Sequence, residues 1–109
     1  MTLAAIAAPD LAARLATEPG LTVIDVRTPA EFAELHAQPA LSLPLPDVSP
    51  AALTALGHTD AAAPVYVLCQ SGKRAESACS RLGTAGFTRA MVVTGGTDAW
   101  HAAGMPVRS

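Results

Sequence analysis

The chain has 109 residues, half of them apolar and 15% charged, with a formal net charge of −2. That is enough for one domain, residues 1–109, around a single core. It is too apolar for disorder and lacks the positive charge of a nucleic-acid binder. Two cysteines make no disulfide framework, and no run approaches the roughly 18 apolar residues of a membrane span. The N-terminus has no positive segment, and Asp10 interrupts its first apolar stretch, so a signal peptide is not expected. A reduced, cytoplasmic setting is.

Ile6 marks a short edge strand, and Pro9 to Ala16 reads as a helix with Leu11 and Leu15 on one face. Leu21 to Val26 is a strand ending near Asp25. Thr28-Pro29-Ala30-Glu31 is a capping box with proline at the first helical position, so a short helix begins there. Ala40 to Leu43 is a weak strand stopped by Pro44. Ser49-Pro50 repeats the cap-then-proline signal, and Gly57 ends that helix. Val65 to Leu68 is a buried strand, followed by the loop Cys69-Gln70-Ser71-Gly72-Lys73-Arg74 and a helix from Ala75 to Ala85. Met91 to Val93 is the last strand, and Gly95-Gly96 turns the chain into a final helix carrying Trp100, closed by Gly104 and Pro106. The alternation of strands and helices predicts an α/β domain with a largely parallel sheet. The abundance of alanine implies closely packed helices.

In such sheets ligands bind outside the carboxyl ends of the strands. Asp25, Cys69 and the Gly95-Gly96 turn all follow strands and are expected at one edge. Cys69 sits where a strand stops and a helix begins, beside backbone N–H groups and two cations. That setting favours a thiolate and suits an anionic partner. Gly72 lets the loop curl, and Gln70 or Ser71 can add a side-chain hydrogen bond. Lys73, the sole lysine, and Arg74 are placed to stabilise negative charge, with Arg27 expected near them. Cys79 falls inside the following helix and reads as inert core. His58 and His101 read as surface residues, and no histidine–cysteine spacing resembles a zinc site. Trp100 is expected to pack the last helix on the sheet, and Gly95-Gly96 to be turn glycines first, with an approach to the Cys69 loop second. Glu31 reads as half of the capping box rather than as a partner for Arg27. A phosphate-binding P-loop is excluded: Gly72-Lys73 is followed by Arg74, and Val67 stands where the first glycine belongs.

Taken together, Ile24-Asp25-Val26-Arg27 with Glu31-Phe32, the loop Cys69 to Arg74, and Gly95-Gly96 with Trp100 and Gly104-Met105-Pro106-Val107 resemble the signatures of the rhodanese (sulfurtransferase) family. The loop is similar to that of bacterial single-domain members. The resemblance implies a central, mostly parallel five-stranded sheet with helices on both faces. It implies an enzyme of thiosulfate sulfurtransferase type, moving a sulfane sulfur through a persulfide on Cys69. The donor would be a small anion such as thiosulfate, and the acceptor cyanide, a thiol or a partner protein. No metal and no cofactor is implied. Asp25 and Arg27 would brace the active-site loop. The chain departs from the family pattern at Leu35-His36-Ala37-Gln38-Pro39-Ala40, where two glycines are missing, and at Thr97, where an aliphatic residue is usual. His36 is expected to make a structural hydrogen bond. A second possibility is a non-catalytic rhodanese module that relays sulfur or docks on a partner. A third, a cysteine-dependent phosphatase or arsenate reductase, fits less well, because Cys69 to Arg74 is Cys-x4-Arg and phosphatase loops are one residue longer.

Overall fold

A computed structural model describes residues 4–70 and 73–109. Expectations resting on Ser71 and Gly72 lie outside the described residues.

Five strands form one sheet: β1 (Ala5–Ala7), β2 (Thr22–Asp25), β4 (Leu41–Ser42), β5 (Val65–Leu68) and β6 (Ala90–Thr94), in the order β1-β6-β5-β2-β4. Every neighbouring pair is parallel. All five carboxyl ends therefore share one edge, as the crossover helices of a parallel sheet require. β5 is central and its four residues are fully buried, which is why its sequence is an unbroken apolar run.

Side chains alternate across this sheet. Ile24, Val65, Val67 and Val92 face one core layer with Leu53 of α3 (Pro50–Ala55) and Ala75, Ala78, Cys79 and Leu82 of α4 (Lys73–Thr84). Val23, Tyr66, Leu68 and Val93 face the other, with Leu11 of α1 (Ala8–Thr17) and Trp100 of α5 (Gly96–Ala102). Cys69 continues the parity of Val65 and Val67 and joins the α3–α4 layer. Trp100 packs the last helix on the sheet as expected, and its Nε1 donates to the Pro106 carbonyl at 2.7 Å.

Three findings differ from expectation. The helix after the Cys69 loop begins at Lys73 rather than Ala75, so both cations belong to its first turn. A second, two-stranded antiparallel ribbon joins β3 (His36–Ala37) to β7 (Val107–Arg108); strands of two residues carry no alternation to read. His58 is buried, not at the surface, with 5% exposure. Gly57 at φ +96° turns the chain back, the His58 N–H reaches the Leu53 carbonyl at 2.9 Å, and Nδ1 lies 2.8 Å from Thr22 Oγ1. The departing segment at residues 35–40 holds its path through His36, whose Nδ1 is 2.7 Å from the Phe32 carbonyl and whose ring stacks on Phe32.

Candidate active site

At the carboxyl edge of the sheet, Cys69 follows β5 directly and is 1% exposed. The turn at Gly95-Gly96 closes on it from behind. Thr97 N–H donates to the Cys69 carbonyl at 2.8 Å, and Asp98 N–H to the Gln70 carbonyl at 3.2 Å. Gly96 holds φ +58°, and a Cβ there would collide with the Cys69 carbonyl oxygen. Both glycines are thus required: the first turns the chain at φ +75°, the second permits contact with the Cys69 backbone. The approach that the sequence ranked second is a principal contact. The Thr97 side chain is buried at 2% exposure, and its hydroxyl has no hydrogen-bond partner among the described residues.

The neighbouring strand β2 ends in Asp25, which is fully buried and closed on Arg27. Arg27 Nη2 donates to Asp25 Oδ2 at 2.7 Å, Nε lies 3.0 Å from both carboxylate oxygens, and the Arg27 backbone N–H donates to Oδ1 at 3.0 Å. A further donation from Nη2 to the Leu35 carbonyl, at 2.7 Å, ties this pair to the end of α2 (Pro29–Glu34). Burying two charges is tolerable only with such complete pairing. Val26 N–H donates to the Leu68 carbonyl at 2.8 Å, joining the Asp25–Arg27 corner to the residue before Cys69.

Glu31 forms the expected capping box: its N–H donates to Thr28 Oγ1 at 3.2 Å and its Oε1 accepts from the Thr28 N–H at 3.1 Å. It also has a partner that sequence reasoning missed. Arg74 donates to Glu31 Oε1 at 2.8 Å and to Oε2 at 3.0 Å, across 43 residues. The Arg74 bonds first, and those from Thr28 next, hold the Glu31 carboxyl at about 2, below its usual 4.5. The arginine is held more firmly protonated, chiefly by its bonds to Glu31, with lesser contributions from the charges of Cys69 and Asp25. Two cations in the first turn of α4 oppose the helix macrodipole, and Glu31, placed favourably at the start of its own helix, offsets one of them. The absence of any local i,i+4 spacing hid this pair in the sequence. Lys73 is exposed and, among the described residues, has no carboxylate within ion-pair distance.

Cys79 is buried in the α3–α4 layer, and burial pushes its thiol up to about 12, so it stays protonated and inert. Among the described residues no cluster of metal-ligating side chains occurs, and no helix is long and apolar enough to cross a membrane.

The chain matches a family model described as the rhodanese-like domain over residues 7–103. It is 33% identical over 97 residues to a sulfurtransferase of Allochromatium vinosum, covering 89% of this chain and 87% of that protein. It is 34% identical over 101 residues to the chloroplastic thiosulfate sulfurtransferase 16 of Arabidopsis thaliana, covering 83% of this chain and 82% of that one. The solution structure of a rhodanese-like domain from Anabaena sp. superposes with a TM-score of 0.85 at 26% identity, over 99% of this chain and 80% of that one. The family match and these relatives agree, and the chain belongs to the rhodanese-like sulfurtransferase family.

Proposed function

We propose that this protein transfers a sulfane sulfur from a small anionic donor such as thiosulfate to a thiophilic acceptor, through a persulfide on Cys69. The Cys69 thiolate attacks the outer sulfur of the donor. The S–S bond breaks, its electron pair leaves on sulfite, and Cys69 retains the sulfur. An acceptor (cyanide, a thiol or a protein cysteine) then attacks that sulfur, and the Cys69 thiolate is released. This is nucleophilic covalent catalysis with ping-pong kinetics.

The observation that carries the reading is the place of Cys69. It lies at the carboxyl end of the central strand, backed by α5 through the Thr97 and Asp98 amides, with Lys73 and Arg74 opening the next helix. In the proposed roles, Gln70, Ser71 and Gly72 form the cradle for the sulfur anion. Lys73 stabilises the departing charge, Arg74 adds only what its pairing with Glu31 leaves unbalanced, and Asp25 and Arg27 brace the loop. A reduced, cytoplasmic setting fits a working thiol.

The test is intact-protein mass spectrometry after thiosulfate exposure, with and without cyanide. The expected result is a gain of one sulfur atom, lost again with cyanide, and absent in Cys69→Ser although that variant folds. Full turnover in Cys69→Ser would refute the mechanism. One observation favours a second reading. Cys69 is only 1% exposed, as expected of a non-catalytic module that docks on a partner or takes sulfur only from one. Stable persulfidation without small-molecule turnover would support that relay.

A further inference from the structure

Three cationic side chains belong to the Cys69 end of the sheet, and two of them are already neutralised. Arg27 is closed on Asp25 at 2.7 Å, and Arg74 is gripped at two points by Glu31. Lys73 has no such partner among the described residues. Asp98, exposed, brings a further negative residue to the same edge through its backbone bond to Gln70. The formal charges of these six side chains cancel. Such a mouth gives a dianion little net attraction, and a monoanion loses less by it.

We propose that Glu31 is a donor-specificity residue: by neutralising Arg74 it biases Cys69 against doubly charged thiosulfate relative to a singly charged organic persulfide. The proposal rests on Cys69 being the sulfur carrier. With a persulfide donor, the Cys69 thiolate attacks the outer sulfur of R–S–S⁻. The S–S bond breaks, its electron pair leaves with R–S⁻, and Cys69 holds the transferred sulfur. No external oxidant or reductant is needed.

The geometry makes Glu31 separable from its structural duty. A capping box accepts glutamine as well as glutamate at its third position, so Glu31→Gln removes charge while keeping the acceptor that binds the Thr28 N–H. Arg74→Gln does the reverse and leaves the Glu31 carboxylate unpaired. Arg74 also lies within the electrostatic reach of Cys69, so both changes are felt at the sulfur.

The experiment measures kcat/KM for donor, with thiosulfate and with ethyl persulfide, in the wild type and both variants, at low and high salt. In a ping-pong enzyme this parameter reports the loading step alone. Glu31→Gln is expected to raise the thiosulfate value roughly 3- to 10-fold and the persulfide value roughly 2- to 3-fold at low salt, with the effect fading near 1 M salt. Arg74→Gln should move the thiosulfate-to-persulfide ratio the opposite way. A ratio unchanged in Glu31→Gln, or moved in the same direction by both variants, overturns the proposal. If Glu31→Gln does not fold, Arg74→Gln decides alone: a ratio unchanged or shifted toward thiosulfate overturns it. Failure of the wild type to gain sulfur from either donor, read by mass, overturns the carrier reading itself and this proposal with it.

Discussion

Lys73 and Glu31 show how a single side chain acts at this site. Lys73 is exposed, stands in the first turn of α4 and lacks a carboxylate partner among the described residues. Lys73→Ala should lower thiosulfate kcat/KM roughly 3- to 10-fold while changing stability by less than about 0.5 kcal/mol; equal turnover would remove the lysine from the proposed anion-stabilising role. For Glu31, the folded-state value of about 2 lies below its usual 4.5. Its contribution to stability is therefore fully present above 4.5 and is lost as pH falls through about 2. Thermal melts of wild type and Glu31→Gln should differ above that window and converge toward its acid end; a gap independent of pH would show that the carboxylate charge is not what stabilises. The position of Cys69, Asp25 and Arg27 at one edge of the sheet was legible from the strands they end or follow. The Glu31–Arg74 pair was not, because nothing local in the chain links two helix starts 43 residues apart. His58 was misread for a related reason: its burial depends on a left-handed turn at Gly57 and a hydroxyl at Thr22, neither of which periodicity registers.

Among the elements, the turn into α5 is the most exacting. Its two glycines have φ of +75° and +58°, and a methyl at the second would meet the Cys69 carbonyl. Gly96→Ala should cost several kcal/mol, roughly 2–4, by combining left-handed strain with a backbone clash. It should also depress sulfur transfer through displacement of Cys69. Wild-type stability and turnover in that variant would show that the close approach is not needed. The sequence marked helix starts well where chemistry is explicit: Thr28 with Glu31, and Ser49, whose Oγ accepts from the Ala52 N–H at 3.1 Å, both cap as expected. It marked the start of α4 two residues late, since two cations are unusual in a first turn. It passed over β3 and β7, whose pairing depends on the two segments meeting in space rather than on pattern.

For the molecule as a whole, two apolar layers on one parallel sheet carry the fold, and this much was legible. Unbroken apolar runs alternate with helical segments only when both sheet faces are covered. Leu53 is fully buried in the α3–α4 layer that also holds Cys69. Leu53→Ala should destabilise by about 2–5 kcal/mol in denaturant unfolding, the usual range for a truncated core leucine. A loss under about 1 kcal/mol would mean that the layer collapses to fill the gap.

The amides that back Cys69 and Gln70 belong to Thr97 and Asp98, far downstream of them. Both bonds cross from the turn into α5 back to the end of β5, so neither can form until α5 has docked on the sheet. A chain truncated before residue 97 therefore leaves the Cys69 and Gln70 carbonyls without these donors, and the corner at the end of β5 is completed by the last helix of the fold.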